Sequence, residues 1–201
     1  MELKIKPYYR NNLCVIDTDK PFTQPFDCED TYNSYFFFKA GFNLYSIDED
    51  YEEKDIVATV EGCFFRYNRI SEYNIDIIDL ADTVSDDAQK AIITLADNNL
   101  FTEVDMEYMP LVCYLSRLYV YSKYRNNGIA TYIYENLQEI FEYVTSDLIS
   151  IFITLPCPQE PNSDGTWKNV RDDIMFEKMV RLLNKHEFKS VGNGFYYKLY
   201  T

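Results

Sequence analysis

Basic residues are scarce: 19 Lys and Arg stand against 33 Asp and Glu, a formal net charge of −14. Non-specific nucleic-acid binding needs clustered cations to neutralise phosphates, and an anionic membrane makes the same demand, so neither partner is expected. The acidity favours solubility and makes the overall field attractive to a cationic substrate such as an amine. No Cys-x-x-Cys pair occurs. Cys14, Cys28, Cys63, Cys113 and Cys157 are odd in number and widely spaced. That pattern indicates neither a zinc site nor a disulfide framework, so no metal is expected and a reducing cytoplasm fits. Apolar runs of the roughly 20 residues that cross a bilayer are missing. Residues 1–6 lack the apolar stretch of a signal peptide. Internal repeats and low-complexity linkers are missing too, and residues 1–201 read as one domain.

What is present is apolar and aromatic. Hydrophobic residues make up 47% of the chain, with 19 Tyr and 14 Phe. That is enough for a sizeable core, with many phenol hydroxyls left near water. The first half reads as strands: residues 3–9, 35–38, 41–47 and 56–67, with Pro21 and Pro25 breaking the loop after the first. The acidic run 48–55 reads as a hairpin tip, or as a lure for an amine. Residues 76–100 read as helical, with Val84, Ala88, Ala91, Ile92 and Leu95 at helical spacing and Ser85 or Asp86 as cap.

The second half alternates strand and helix. Residues 110–120 form a strand candidate. Residues 128–144 form a helix whose stripe is Ile129, Ile133, Leu137, Ile140, Phe141 and Val144. Residues 148–155 are almost wholly apolar, as in a strand buried on both faces. A polar loop over 156–171 holds Trp167. A last helix, capped by Asp172 or Asp173, carries the stripe Phe176, Met179, Val180 and Leu183. Strands at 188–191 and 195–200 flank the turn Gly192-Asn193-Gly194.

Function is carried by the junction after the strand ending at Val120. Arg125-Asn126-Asn127-Gly128-Ile129-Ala130 is a polar turn that opens into a helix. The first helical turn has unpaired N–H groups and a partial positive charge, and phosphate binds well there. Gly128 lets a ligand approach the backbone. Arg125 adds a planar, permanent cation, and small Ala130 keeps the approach open. No Gly-Lys-Ser/Thr comes after it, and only one of three fingerprint glycines is present, so neither a P-loop nor a dinucleotide motif fits.

Residues 118–130, Leu-Tyr-Val-Tyr-Ser-Lys-Tyr-Arg-Asn-Asn-Gly-Ile-Ala, resemble the central motif of the GNAT superfamily of acyl-CoA-dependent N-acyltransferases. Lys185-His186-Glu187-Phe188-Lys189-Ser190-Val191-Gly192 with Phe195-Tyr196-Tyr197 is similar to that family's closing helix, strand and hairpin, with Glu187 where a glycine is usual. The resemblance spans 111–201, and residues 1–110 match only as a strand-rich beginning. It implies an α/β (α+β) domain with a mixed, twisted sheet of about seven strands and helices on both faces, its N-terminal half elaborated. It further implies acetyl-CoA as donor. Pantetheine would lie between the strands 114–120 and 148–155, pairing with backbone near Leu118, Tyr119 and Val120. The pyrophosphate would rest on the N–H groups of Asn126, Asn127, Gly128, Ile129 and Ala130, beside Arg125.

The implied reaction is acetyl transfer to a primary amine of a small molecule, peptide or protein. It needs an amine freed of its proton, whose pKa is about 10.4, and a stabilised oxyanion, while the thiol leaving group at about 8.5 demands less. The family's tyrosine on the last helix is matched by Leu183, and its strand glutamate by Tyr114. Tyr114 is the one catalytic candidate, with an aromatic core residue as its other reading. By alternation it shares a strand face with Ser116, Leu118 and Val120. His186, the only histidine, reads as a helix C-cap, and Cys157 as a spectator thiol without a basic neighbour. The alternative function is an acyl-CoA-binding or protein-interaction module without catalysis. The sequence names no acceptor and leaves self-association open.

Overall fold

A computed structural model describes residues 2–10, 35–47, 53–108, 110–164 and 166–200. The first three strands, β1 (Glu2–Arg10), β2 (Phe37–Ile47) and β3 (Glu53–Arg66), form an antiparallel meander. Two of the expected strands, 35–38 and 41–47, are therefore one strand that starts at Phe37. Most of the acidic run 48–55 lies outside the described residues, and so do Cys14, Cys28, Pro21 and Pro25.

Three helices come next: α1 (Tyr67–Glu72), α2 (Ile77–Asp82) and α3 (Asp86–Asp97). The single helix read over 76–100 is two. Asp76 caps α2 by accepting from the Ile78 N–H at 2.8 Å, and Ser85 caps α3 by accepting from the Ala88 N–H at 3.1 Å. Two competing N-caps start two helices rather than one. A 3-10 turn at Leu100–Thr102 leads towards β4 (Leu111–Val120).

After β4 and a 3-10 turn at Ser122–Tyr124 come α4 (Ile129–Glu135) and α5 (Leu137–Thr145). The sequence read these as one helix. The break falls at Asn136, whose side-chain amide donates to the Tyr132 carbonyl at 2.8 Å while its backbone leaves the helical region. The apolar stripe survives the break: Ile129, Ile133, Leu137, Ile140, Phe141 and Val144 are all buried. Strand β5 (Ile149–Thr154) is buried throughout, as its apolar run requires. The expected loop 156–171 holds a small hairpin, β6 (Gln159–Pro161) and β7 (Trp167–Asn169). The chain ends with α6 (Asp173–Lys185), β8 (Lys189–Gly192) and β9 (Phe195–Leu199).

The main sheet has seven strands in the order β1-β2-β3-β4-β5-β9-β8. Only β4 and β5 run parallel; the other neighbours are antiparallel. Each face carries its own core. One packs Phe42, Phe64, Cys113, Leu115 and Phe152 against α4, α5 and Leu183 of α6. The other packs Phe65, Val112, Tyr114 and Ile153 against α1, α2 and α3. The expected mixed sheet with helices on both faces is therefore the observed one. Among the described residues no helix is long and apolar enough to cross a membrane.

One irregularity interrupts β4 midway. Leu115 of β4 faces Gly62 of β3, and Arg117 faces Glu61, so Ser116 is an extra residue, a β-bulge. Gly62, beside the bulge, has no room for a side chain: a Cβ there would meet Cys113 Sγ at 2.7 Å. Alternation resets across the bulge. Leu118 and Val120 pack against the first core, whereas Tyr114 belongs to the second. The expectation that Tyr114 shares a face with Leu118 and Val120 is corrected by that one inserted residue.

Candidate active-site cleft

Strand β4 pairs with β5 only from Leu111 to Tyr114, whose partner is Ile153. Beyond that rung the strands part, although β4 continues to Val120. The Thr154 hydroxyl donates to the Leu115 carbonyl at 2.9 Å and closes the angle of the fork. Between the arms lies a cleft of about 440 Å3. Its β4 wall, Ser116 to Val120, runs about 14 Å at ~3.4 Å per residue. Leu155, Pro156 and Cys157 continue the β5 wall, and α4, α6 and the β6–β7 hairpin complete the lining.

The outer end of the cleft is the predicted phosphate turn. Asn126 and Gly128 take left-handed backbone angles, φ 65° and 76°. For Gly128 that conformation is nearly free, and nothing lies within 4 Å of the place a Cβ would occupy, so the backbone is open to a ligand. No side chain caps α4. Among the described residues, the N–H groups of Asn126, Asn127, Gly128, Ile129, Ala130 and Thr131 meet no protein acceptor. Helical N–H groups left over in this way require water or a ligand.

The turn is built rather than loose. Arg125 Nε donates to the Val120 carbonyl at 2.9 Å, and its guanidinium lies 5.2 Å from the Tyr119 ring centre. The Asn127 amide donates to the carbonyls of Tyr124 and Arg125 at 3.2 and 3.3 Å. Asp55 at the start of β3 accepts from Lys123 Nζ at 2.7 Å and from the Tyr124 hydroxyl. Those two hydrogen bonds, Lys123 first, hold the Asp55 carboxyl below its usual range.

Of the predicted binding residues, Leu118, Tyr119, Val120, Arg125, Asn126, Gly128, Ile129 and Ala130 line the cleft. Asn127 does not; its side chain braces the turn. Tyr114 does not either. It is 7% exposed in the second core, where burial, then the Asp87 charge, pushes its phenol up. Leu183 lines the cleft. Phe176 was expected in the buried stripe of α6 but is 43% exposed. That helix turns Met175, Met179, Leu182 and Leu183 to the cleft, and only Leu183 is sealed.

Several lining groups were not anticipated. Tyr134 stacks on His186 at 5.7 Å between ring centres and faces the cleft. It lies one turn after Ala130, a spacing that could have signalled it. Lys178 and Thr131 line the cleft as well. Arg117, also in the cleft lining, pairs with Glu61, donates to Gln159 at 3.3 Å and lies 4.2 Å from the Trp167 ring centre. Both members of that ion pair are largely buried, and the cluster pins the β6–β7 hairpin beside the fork. His186 caps α6 as expected; its ring is buried and Nε2 has no partner among the described residues. Glu187 takes the left-handed angle, φ 66°, that explains why a glycine is usual there. Burial, reinforced by Asp87, raises the Cys157 thiol, which agrees with a spectator role.

Comparison of the chain with known proteins gives no identity: no protein-family model matches it, and a search of curated proteins gives no match.

Proposed function

We propose that this chain is a GNAT-like N-acetyltransferase that takes its acetyl group from acetyl-CoA and passes it to a primary amine. The observation that carries the reading is the fork: β4 and β5 part after Tyr114 and Ile153, over a cleft that ends at six backbone N–H groups without protein acceptors. An extended, amide-bearing arm fits the cleft-facing edge of Ser116 to Val120, where backbone groups have lost their sheet partner. A pyrophosphate fits the turn, where Arg125 supplies charge, with Lys178 elsewhere in the cleft lining. The family resemblance of residues 111–201 points the same way.

In the step itself the amine nitrogen attacks the thioester carbonyl. A C–N bond forms, the C–S bond breaks, and coenzyme A leaves as a thiolate. The amine's proton passes to water in the cleft. The thiolate needs little help near neutral pH, and Tyr134 offers a phenol from the cleft wall where Leu183 offers none.

Calorimetry with acetyl-CoA tests the donor, and thiol release across polyamines, aminoglycosides, amino acids and peptides tests the transfer. Binding with release supports the enzyme. Binding without release for any amine supports the non-catalytic module, which Leu183 favours. No binding overturns both.

A further inference from the structure

An amphipathic surface helix turns its apolar stripe to a core, and burial of that stripe is what holds the helix in place. Helix α6 departs from this: of its 13 residues only Leu183 is sealed. Met175, Met179 and Leu182 share one side of the helix, within about 60° of one another at ~100° per residue. All three are half-buried, and all three line the cleft. Leu182 packs against the first core, but among the described residues Met175 and Met179 join neither core. The stripe of α6 therefore faces the cleft where another helix would face protein.

Other parts of the lining are apolar too, among them Leu118, Val120, Ile129 and Leu155. The open backbone groups lie elsewhere, along the edge of Ser116 to Val120 and at the phosphate turn. A pantetheine arm on that edge engages its amides there, so it has little to offer α6. The inner end of the α6 strip is Leu183, which belongs to the same core as Leu115. The Leu115 carbonyl is where the Thr154 hydroxyl closes the fork. From Leu183 out to Met175 the strip runs about 12 Å at ~1.5 Å per residue. With pyrophosphate on the turn and pantetheine along β4, the thioester comes to the fork, and whatever is attached to its carbonyl starts at the inner end of the strip.

We infer that the α6 strip seats the acyl chain of the donor, and that the donors this cleft takes extend past acetyl to chains of medium length. Continuity selects the occupant. One molecule places phosphates on the turn, amides on the β4 edge and methylenes on α6, so the apolar part needs no separate ligand. An acetyl group ends in a single methyl and leaves Met179 and Met175 uncovered. Methionine suits a flexible chain, because its unbranched thioether adapts to whatever lies against it. Leu183 keeps the inner end of the seat free of a hydroxyl that a chain would have to desolvate.

The inference rests on the donor reading, and calorimetry separates the two. Coenzyme A, acetyl-CoA and octanoyl-CoA are titrated into the wild type and into the double variant Met175→Gln, Met179→Gln, which keeps side-chain length and replaces thioethers by amides. A fully buried methylene is equivalent to about fourfold in affinity. Octanoyl-CoA is expected to bind the wild type about tenfold or more tighter than acetyl-CoA, with a more negative heat-capacity change. In the double variant that ratio should fall to about threefold or less. Met179→Gln alone is read by the same ratio should the pair not fold. Phe176→Gln, on the exposed side of the same helix and outside the cleft lining, should leave the ratio intact. If none of the three ligands binds, the donor reading falls and takes the seat with it. If acetyl-CoA binds but octanoyl-CoA binds no tighter, or the methionine variants keep the ratio, or Phe176→Gln abolishes it as well, the seat alone is overturned.

Discussion

The two halves of β4 are built from similar residues and do different work. Leu111 to Tyr114 is buried and held by strands on both sides, whereas Ser116 to Val120 is bonded to β3 alone and open to the cleft. The apolar content of the halves is not what separates them, since Leu118, Tyr119 and Val120 would suit any core. The separation comes from the loss of β5 as a partner and from the single extra residue at the boundary. A strand becomes a ligand wall when one neighbour leaves it, because its backbone N–H and C=O groups must then be satisfied by something else.

The contrast can be broken hardest from the buried half. Phe152→Ala in β5 removes a fully buried ring that packs on Phe141. It should cost about 3–5 kcal/mol, read as a lower denaturant midpoint with unfolding of both halves together. Glu61→Gln strikes the boundary. Removing the carboxylate charge beside the largely buried Arg117 should cost about 3 kcal/mol. Trp167 is the only tryptophan, so its emission should shift to the red as the β6–β7 hairpin loosens. Gly128→Val acts on the open half alone. The left-handed backbone should cost about 1–2 kcal/mol, and the new side chain should weaken acetyl-CoA binding about tenfold or more, by ~1.4 kcal/mol. Calorimetry beside a melting curve separates the two effects. Tyr134→Phe should leave binding and stability within about 1 kcal/mol of wild type and lower kcat at saturating amine.

The smallest effect concerns pH. Burial, with Lys185 and Lys198 adding to it against Glu135, lowers the pKa of His186 below its ordinary 6.5. Below about 6.5 the unfolded chain therefore binds more protons than the folded one, so stability falls with pH from there until the folded pKa is passed, and is flat above. Melting curves from pH 7.5 to 5 should show that slope, and His186→Phe should flatten it, since a buried Nε2 without a partner is then removed.

Much of the fold was legible from local pattern. The stripe from Ile129 to Val144 specified its buried face, the apolar run 148–155 specified β5, and Arg125 to Ala130 announced a polar turn that opens into a helix by its position after a strand. What escaped depended on partners far away in the chain. The bulge leaves no mark in residues 114–118; it exists because β3 places Gly62 opposite Leu115 and Glu61 opposite Arg117. Counting alternate residues from Tyr114 therefore put it on the wrong face. Phe176 was read as core because periodicity marks an apolar stripe without showing what covers it; the residue is exposed and lies outside the cleft lining.

The bulge also has a genealogical side. Without Ser116, Arg117 would keep its face of the sheet, as would every residue after it. The cores on both sides of the sheet would be blind to the change. Only the bend that helps carry β4 away from β5 would go. A single inserted codon can thus open or close a ligand fork without disturbing what keeps the protein folded, which makes a binding site an unusually short mutational distance from a plain strand.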